Sequence, residues 1–367
     1  MKCSLMNKNT EVLVANYDEG IKGFSDIIEI KNINYAPLIL KQAYEKDNHF
    51  RLNLNNWFKG RGIPASRDKL DILLARLNIS TPEELLDKAF GLSLSDQYWI
   101  RPVDSNIHYE DINFFDHDFD SIEFLEISFS NDSKTISSQN SLKTPNNTTD
   151  GMLKKAWIIE NNKRYLLKGG YKNDILQPFN EVLASMICER LGFNHVVYTL
   201  DVVKDKVVSK CECFINKDTE FVPASQIMAQ VEKHQNEEDY DEYIKILEEH
   251  HIENAREKIE NMYILDFLIM NEDRHLNNFG IVREVNTLKW LDIAPIFDSG
   301  ESLKMIIYDQ DEIVLNGEGR LFYRIVPFST MIKLVKNIER IDPSKLDGVV
   351  EEFDELLHQY QNITGIS

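Results

Sequence analysis

The chain contains only four cysteines among its 367 residues: Cys3, Cys188, Cys211 and Cys213. This number is too small, and the spacing too irregular, for a disulfide framework to stabilise a chain of this length. Cys211 and Cys213 flank a single glutamate and would supply half of a metal site, but no second Cys or His pair follows at a matching spacing. We therefore interpret this pair as structural.

Long apolar runs are also missing. No stretch reaches the roughly 20 apolar residues that a membrane span requires, and residues 1–10 lack the apolar core of a signal peptide. We therefore expect a cytoplasmic protein without a membrane partner. The hydrophobic content of 43% suits packed cores, and the length suits two or three domains.

Basic residues are the third shortage. The 41 Lys and Arg are outnumbered by 61 Asp and Glu, which gives a net charge of −20. Binding to nucleic-acid phosphates needs clustered positive charge. We therefore expect no direct nucleic-acid partner, although a local basic patch would be compatible with this composition.

The most informative pattern lies in residues 271–300, which begin Asn-Glu-Asp-Arg-His-Leu-Asn-Asn-Phe-Gly and end Ala-Pro-Ile-Phe-Asp-Ser-Gly. Asp273 is followed five residues later by Asn278, and Asp298 lies between a turn and a glycine. A phosphoryl-transfer site needs one carboxylate to orient a hydroxyl, and an amide and a carboxylate to hold Mg²⁺ against nucleotide phosphates. We predict these roles for Asp273, Asn278 and Asp298, with ATP as the nucleotide.

The flanking residues predict rigid supports for this site. Residues 259–270 are rich in Met, Tyr, Ile, Leu and Phe, as is typical of a buried helix. Residues 279–283 and 287–293 are typical of paired strands around a turn at 284–286. The three site residues would then lie at the edges of packed elements, where side chains are held accurately.

A polar segment upstream predicts a phosphate loop. Residues 128–150 are rich in Ser, Asn, Thr and Lys, which is typical of an exposed, mobile connection. The segment ends at Thr148, Thr149, Asp150 and Gly151, directly before an apolar strand at 156–159. Backbone N–H groups of such a loop can bind nucleotide phosphates. One glycine does not make a glycine-rich loop, so this pattern alone does not establish phosphate binding.

A lysine and a glutamate follow in the next elements. Residues 156–159 and 164–168 predict a hairpin that turns at 160–163, with Lys168 at the tip of its second strand, and residues 178–191 predict a helix that carries Glu181. A strand lysine and a helix glutamate form the ion pair that positions phosphates in protein kinases. The alternatives are a solvated strand end for Lys168 and a first-turn acid, favoured by the helix dipole, for Glu181.

The change from strands to helices predicts a hinge. Residues 196–203 and 206–214 are typical of two strands, and the pattern that follows is helical. Glu212, Cys213 and Phe214 therefore fall where a strand-rich lobe would meet a helical lobe. We predict that the backbone of this segment binds the edge of adenine and that Phe214 covers its face.

The predicted fold is α+β, a two-lobed protein-kinase-like fold with a strand-rich N-lobe, a mainly helical C-lobe and an extra N-terminal domain. Helices are expected at 69–77, after a cap at Thr81, at 329–338 and at 343–363, and a mobile loop at 308–320. The predicted divisions are 1–130 for an N-terminal domain of unknown role, 131–152 for the polar connection and phosphate loop, 153–214 for the N-lobe and 215–367 for the C-lobe.

Two motifs resemble those of the HipA-like serine/threonine kinases, a bacterial branch of the protein-kinase-like fold. Residues 273–280, Asp-Arg-His-Leu-Asn-Asn-Phe-Gly, match the family's Asp-x-His-x-x-Asn, and residues 294–298, Ala-Pro-Ile-Phe-Asp, match its Pro-Leu-Tyr-Asp. The resemblance spans residues 145–300. It implies that Asp273 is the catalytic base, that Asn278 and Asp298 are Mg²⁺ ligands and that His275 is a nearby supporting residue.

The resemblance also implies a phosphate loop and a mode of regulation. Gly151 and Lys155 would be the glycine and the lysine of that loop, Lys168 the strand lysine, and residues 212–214 the hinge. Family members autophosphorylate a loop serine, which silences the enzyme, and here Thr148 holds that position; a threonine without regulation is the alternative. Some members are toxins that are neutralised by a DNA-binding antitoxin, which makes an antitoxin or regulatory protein a candidate partner.

The leading interpretation is an ATP-dependent protein kinase that acts on Ser or Thr hydroxyls of a protein substrate. A small-molecule kinase of the same fold would use the same Asp, Asn and Asp arrangement. A nucleotide-binding regulator with little turnover is a third possibility, and the complete set of catalytic groups counts against it. Residues 1–130 show no match to the family's usual N-terminal subdomain.

Overall fold

The structure is a computed structural model that combines helices and sheets, as expected for the α+β class. It describes residues 1–46, 49–64, 70, 74–75, 78–119, 125, 129, 143–148, 154–170, 175–231, 238–303 and 317–365. The chain forms two compact units. Unit 1 comprises Met1–Lys172, Glu212–Val222 and Arg283–Lys289, and unit 2 comprises Asn173–Cys211, Pro223–Val282 and Trp290–Ser367.

Unit 1 contains an antiparallel four-stranded sheet in the order β3-β2-β1-β4. Its elements are β1 Lys2–Asn7, β2 Thr10–Asp18, β3 Gly23–Ile30, α1 Leu38–Glu45, α2 Phe50–Lys59, α3 Pro82–Lys88 and β4 Tyr98–Pro102. Leu5, Leu13 and Phe24 of the sheet pack with Leu54 and Phe58 of α2 in one buried cluster. The sequence did not reveal this sheet, because β1 and β2 are buried over most of their length and so lack the alternation of a half-exposed strand.

Two helix predictions in unit 1 had different outcomes. The helix after Thr81 is confirmed as α3, but Thr81 makes no side-chain capping bond, and its hydroxyl is buried without a hydrogen-bond partner among the described residues. The proline at the first helical position supplies a suitable φ without such a cap. Most of the helix predicted at 69–77 lies outside the described residues.

The hairpin predicted before Lys168 is confirmed. Its strands are β5 Lys155–Glu160 and β6 Lys163–Lys168, paired from Lys155↔Lys168 to Glu160↔Lys163. Asn161 and Asn162 form the two-residue turn, with φ angles of 50° and 64°. Asparagine tolerates this left-handed backbone, which matches the twist of the flanking strands, so the local sequence determines the register.

Most of the remaining elements belong to unit 2. In chain order they are α4 Gln177–Leu191, β7 Tyr198–Val203, β8 Lys206–Glu212, β9 Thr219–Pro223, α5 Ala224–Ile227, α6 Glu238–Glu249, α7 Ala255–Ile269, β10 Gly280–Glu284, β11 Trp290–Ile293, β12 Glu318–Leu321, β13 Arg324–Pro327, α8 Phe328–Met331, α9 Val349–Gln359 and α10 Gln361–Thr364. Strands β7 and β8 pair with each other, as do β10 and β11, and β12 and β13. None of the helices in the described ranges has the length and apolar character that crossing a membrane requires.

The core of unit 2 lies between α4 and α7. Leu183 and Ile187 of α4 pack with Ile264 and Leu265 of α7, and Val349 at the start of α9 completes the cluster. The buried helix predicted at 259–270 is therefore confirmed as α7, which starts four residues earlier. Burying such side chains contributes about 1.5–3 kcal/mol each, so the end of α7 is firmly held.

The helix predicted at 329–338 is confirmed only in its first part. The segment forms α8, a 3-10 turn at Ile332–Leu334 and a second one at Ile338–Arg340. The backbone leaves the helical region at Val335, and the N–H of Lys336 donates to Glu260 of α7 at 3.2 Å. A tertiary hydrogen bond therefore replaces the helical one.

The helix predicted at 343–363 is interrupted. Asp342 accepts a hydrogen bond from the N–H of Ser344, which closes a 3-10 turn at Pro343–Leu346, and Gly348, with a φ of 81°, separates this turn from α9. Only glycine adopts that φ without steric cost. The loop predicted at 308–320 is wrong at its end, because Glu318–Leu321 is strand β12. Residues 308–316 of that prediction lie outside the described ranges.

Burial raises the pKa of three cysteine thiols. The pKa rises from an ordinary value of 9.0 to about 11 for Cys3 and to about 12 for Cys188 and Cys213, mainly because burial disfavours the thiolate. Since the unfolded chain loses these protons first, the stabilisation is complete below pH 9 and is lost as the pH rises. We expect the free energy of unfolding to fall above pH 9 by about 1.4 kcal/mol per pH unit for each thiol.

Urea denaturation between pH 8 and pH 10 measures this slope. Cys188→Ala is the control variant. Above pH 9 its free energy of unfolding should fall less steeply than that of wild type, by about 1.4 kcal/mol per pH unit, because one buried thiol is missing. A free energy of unfolding that stays constant over this range would contradict the expected coupling.

Candidate functional site

The site begins where α7 ends. Met270 has a φ of 53° and terminates the helix in the left-handed region, and the chain continues into the buried Asn271. The Asn271 side chain donates to Asp266 at 2.8 Å and accepts from the N–H of Asp273 at 3.3 Å. The backbone at Asp273 is thereby tied to the rigid helix.

A network of short-range hydrogen bonds shapes the loop from Asp273 to Asn278. The N–H of His275 donates to the carbonyl of Asp273 at 2.7 Å, and the N–H of Asn278 donates to the carbonyl of His275 at 2.8 Å. The Asn278 Nδ2 donates to the Asp273 carbonyl at 3.0 Å. This bond fixes the amide orientation, so the Asn278 Oδ1, which accepts no hydrogen bond from the described residues, is available as a ligand atom.

Arg274 connects this loop with the loop before Asp298. Its side chain and that of Asp266 are both completely buried and form an ion pair in which Arg274 Nε and Nη2 donate at 2.9 and 2.8 Å. The other donated bonds go to the carbonyls of Asn278 at 3.1 Å and Phe297 at 2.5 Å and to the hydroxyl of Ser299 at 2.8 Å. A single buried cation therefore joins α7 to both loops that carry predicted site residues.

The electrostatics of Arg274 follow from these contacts. Burial by itself lowers the pKa of a guanidinium, but the carboxylate of Asp266, and then those of Asp298 and Glu181, raise the pKa of Arg274 above its ordinary value. Arg274 therefore remains charged and balances the carboxylates around it. Sequence reasoning assigned it no role, although the carboxylate of Asp266 within an apolar helix signals that a cation must be buried beside it.

Glu181 and Tyr198 hold the loop at Asp298. Asp298 has a φ of 57°, an uncommon backbone conformation that aspartate tolerates better than most residues. Its N–H donates to the Tyr198 hydroxyl at 3.3 Å, and the N–H of Ser299 donates to Glu181 at 3.0 Å. Glu181 is buried and is the fifth residue of α4, so the first-turn interpretation of this acid is wrong.

Gly300 allows the closest approach of this loop to α4. A Cβ atom at position 300 would lie 3.1 Å from the carbonyl oxygen of Gln177 and 3.4 Å from the Glu181 side chain. Any larger residue would push the loop away from the helix. The glycine of the Asp-Ser-Gly sequence thus has a steric role in placing Asp298.

The carboxylate of Asp273 lies at the surface of unit 2. Its Oδ1 accepts a hydrogen bond from Arg320 Nε at 2.9 Å, and its Oδ2 lies 3.8 Å from His275 Nε2. The side chains of all three residues are between a third and a half exposed. The Asp273 carboxylate is therefore accessible to solvent, and it lies beside His275 and beside Arg320, which the sequence did not indicate.

Two lysines occupy the open end of the hairpin in unit 1. Lys155 and Lys168 lie directly opposite each other, so their side chains project from the same face of the sheet. Lys168 is 3% exposed, so the alternative of a solvated strand end is wrong. Because Lys168 and Glu181 belong to different units, the ion pair between them stays a prediction.

The predicted hinge is tightly bonded at its centre. The N–H of Cys213 donates to the carbonyl of Arg164 at 2.8 Å, and the thiol of Cys213 contacts the carbonyls of Leu94 and Ile215. Phe214 packs edge to face on Phe221, with ring centroids 5.8 Å apart. Glu212 is exposed and pairs with Lys163 at 2.8 Å. The Cys213 N–H is therefore occupied and does not present a donor to adenine.

The predicted phosphate loop is described only in part. Residues 149–153, with Thr149 and Gly151, lie outside the described residues. Thr148 ends a 3-10 turn at Pro145–Thr148, and its buried hydroxyl donates to the carbonyls of Leu92 and Pro145 at 2.8 and 3.1 Å. The expected exposed connection is therefore wrong for residues 145–148, and phosphorylation of Thr148, which stays a prediction, would require this turn to open.

The side chains that could ligate a metal ion limit which metal sites this chain can form. In the ranges that the structure describes, no group of three or more His, Cys, Asp or Glu side chains is placed to hold a metal ion. A metal held by Asn278 and Asp298 would take an amide and a single carboxylate from the chain and its remaining ligands from a phosphate group or water, as Mg²⁺ commonly does.

Comparison with curated proteins finds a kinase. Over 162 residues the chain is 30% identical to the serine/threonine-protein kinase CtkA of Helicobacter pylori, which covers 41% of this chain and 50% of CtkA. The chain thus spans half the length of this curated relative. The crystal structure of the H. pylori proinflammatory kinase CtkA matches with 23% identity and a TM-score of 0.46, covering 57% of this chain and 86% of that one.

A second solved structure has a similar fold over the whole chain. It is Shewanella oneidensis MR-1 HipA, in complex with HipB and its operator DNA, with 13% identity and a TM-score of 0.56 over 99% of this chain and 95% of that one. Because that complex contains DNA, our expectation that this chain has no nucleic-acid partner receives no support from the comparison.

The sequence motifs receive independent support from a protein-family model. The model described as the HipA-like C-terminal domain matches residues 147–353, more than half of the chain and the whole of the segment from Asp273 to Asp298. The resemblance seen in the sequence is thereby confirmed, and this chain belongs to the HipA-like C-terminal domain family.

Proposed function

We propose that this chain is an ATP-dependent kinase that phosphorylates Ser or Thr side chains of a protein acceptor. The observation that carries the proposal is the set of bonds made by Arg274, because the same buried guanidinium bonds to the carbonyls of Asn278 and Phe297 and to Ser299. The loops that carry Asp273, Asn278 and Asp298 are therefore held from one point. Fixed groups of this kind supply most of the catalysis in phosphoryl transfer.

In the proposed reaction, Asp273 acts on the acceptor hydroxyl. The hydroxyl oxygen forms a bond to the γ-phosphorus of ATP, and the bond from that phosphorus to the β–γ bridging oxygen breaks, so that ADP leaves with the electron pair. The hydroxyl proton passes to the carboxylate of Asp273 and then to solvent. The partial exposure of Asp273 supports this role, since the acceptor has to reach it.

The chain's own oxygen atoms suit a magnesium ion. We propose that Asn278 Oδ1 and the carboxylate of Asp298 hold it, since Mg²⁺ prefers oxygen ligands and the amide nitrogen of Asn278 is already engaged with Asp273. When bound, Mg²⁺ neutralises negative charge on the nucleotide phosphates. Glu181 acts on this site through the backbone of Ser299 and is a positioning residue.

We also propose the nucleotide-binding residues that the sequence resemblance implies within unit 1. Lys155 and Lys168 place two positive charges on one face at the end of their hairpin, which suits phosphate oxygens. Thr148, Thr149 and Gly151 are proposed as the phosphate loop, and residues 212–214 as the adenine segment, with Cys213 contributing packing instead of its occupied N–H. ATP as the donor favours a cytoplasmic location.

A partner is proposed on the similarity of fold to HipA. That protein is in complex with HipB and operator DNA, and a regulatory or antitoxin-type protein is a candidate partner for this chain. We also propose, in addition to the kinase activity, that the chain acts as a toxin and that it autophosphorylates Thr148.

Incubation with γ-labelled ATP, Mg²⁺ and a bacterial lysate tests the function and its alternatives. We expect acid-precipitable protein to be labelled on phosphoserine or phosphothreonine, because the carboxylate of Asp273 is exposed enough to receive a chain segment. Label confined to the small-molecule fraction would favour a small-molecule kinase of the same fold. ATP binding without label in either fraction would favour a nucleotide-binding regulator and contradict the proposal.

A further inference from the structure

Arg320 has donors that the site does not use. Its Nε donates to Asp273 Oδ1 at 2.9 Å, and within the described ranges its Nη1 and Nη2 groups make no hydrogen bond. The Arg320 side chain is 47% exposed. A guanidinium that is held through Nε by one carboxylate still offers two N–H donors, in a fixed planar fork, to a second anion.

The hairpin of β12 and β13 keeps this fork at the surface. Arg320 pairs with Ile325 across the two strands, and Leu321 pairs with Arg324. Because side chains alternate between faces, Arg320 and Ile325 share one face, and Leu321 and Arg324 share the other. Ile325 is 65% exposed and Leu321 is 1% exposed, so the face with Arg320 is the open one.

The positive charge of Arg320 beside Asp273 is unusual in an acidic chain. The net charge is −20, yet the group bonded to the proposed base is a cation. An acceptor segment whose hydroxyl meets Asp273 brings its neighbouring side chains to within a few ångströms of Arg320, since consecutive residues of an extended chain are about 3.3 Å apart. A carboxylate there would form charge-assisted bonds to the free fork.

We infer that Arg320 is a specificity-determining residue that selects acceptor segments with an Asp or Glu within two residues of the phosphorylated Ser or Thr. The inference rests on the proposed kinase function and adds the class of acceptor. Ile325, on the same open face, offers an apolar contact to the same segment. Arg320 keeps its bond to Asp273 and binds the acidic side chain with its outer donors.

Two other roles for Arg320 would have different consequences. A cation that only balances Asp273, or one that contacts the transferred phosphoryl group, would affect all acceptors alike, whatever their flanking residues. The decisive quantity is therefore the ratio of kcat/KM for an acidic and a neutral acceptor, because a change common to both cancels in that ratio.

The experiment uses full-length protein and peptides that contain one Ser, flanked at positions −2 to +2 by Glu or, in the matched series, by Gln. We expect the wild-type protein to favour the best Glu peptide over its Gln counterpart by about tenfold, as expected for one charge-assisted contact at an exposed site. Arg320→Gln should bring the ratio close to one, and Arg320→Lys should keep part of the preference. Arg324→Gln, which removes the same charge from the opposite face, should keep the wild-type ratio.

Fluorescence anisotropy of the labelled peptides without ATP separates this inference from the proposed function. If no peptide is phosphorylated, the kinase proposal fails for peptide acceptors. The anion-binding role of Arg320 would still be supported if Arg320→Gln binds the Glu peptide more weakly than wild type does and Arg324→Gln does not. A wild-type protein without preference for Glu in either assay, or equal ratios for wild type and Arg320→Gln, would overturn the inference.

Discussion

Replacing Asp273 with asparagine should lower the rate of phosphate transfer by about a thousandfold. Asparagine keeps the size and shape of the side chain but cannot accept the hydroxyl proton, and general-base catalysis contributes roughly 10²- to 10⁴-fold. The fold should not change measurably, because the ion pair between Asp273 and Arg320 is partly exposed, and such pairs contribute about 0–1 kcal/mol. The initial rate at saturating ATP and the melting temperature measure the two effects separately.

Asp292→Asn is the matched control for this variant. Asp292 lies on β11 in the same unit and forms a partly exposed ion pair with Lys258 at 2.5 Å. The substitution removes the same charge at a similar surface position, away from the loop of Asp273. The control should transfer phosphate at the wild-type rate, and an Asp273→Asn rate within tenfold of wild type would remove the assignment of Asp273 as the base.

Replacing Arg274 with methionine should destabilise unit 2 by about 3–5 kcal/mol. This is the usual cost of removing one partner from a buried ion pair, because the carboxylate of Asp266 would remain charged and buried. The two carbonyls and the Ser299 hydroxyl that Arg274 contacts would also lose their donor. At about 2–4 °C per kcal/mol for a unit of this size, the melting temperature should fall by roughly 10 °C.

Two further variants show whether burial is the cause. Arg320→Met removes an arginine whose partner, Asp273, is exposed to solvent, and should change the free energy of unfolding by less than about 1 kcal/mol. The double variant Asp266→Leu with Arg274→Met removes the uncompensated charge and should recover part of the loss, but not all of it, because the loop carbonyls stay unpaired. Equal destabilisation by Arg274→Met and Arg320→Met would show that the buried network does not hold the two loops.

Local sequence predicted those elements whose conformation is decided locally. The turn at Asn161 and Asn162 has the left-handed backbone that asparagine accepts, and the hairpin follows from it. The family motifs located the loops of Asp273 and Asp298 for a similar reason, since the resemblance depends on residue types and their spacing along the chain. Both predictions depend only on residues that are close together in the sequence.

Features decided by distant residues were not predicted. The bonds of Arg274 depend on Asp266, Phe297 and Ser299, which are separated from it by 8 to 25 positions. Thr148 reads as part of an exposed polar connection, yet its hydroxyl is buried against Leu92. In both cases, the packing of segments that are far apart in the chain decides whether a polar residue lies at the surface or in the core.

The most direct test of the central claim is the amount of label that Asp298→Ala transfers from γ-labelled ATP to protein, compared with wild type in the same assay. We predict clear transfer by wild type and none above background by the variant. The melting temperatures should differ by only a few degrees, since the hydrogen bonds donated by the backbone N–H groups of Asp298 and Ser299 do not require the Asp298 carboxylate. Transfer by the variant at a rate near that of wild type, or no transfer by either protein, would contradict the account.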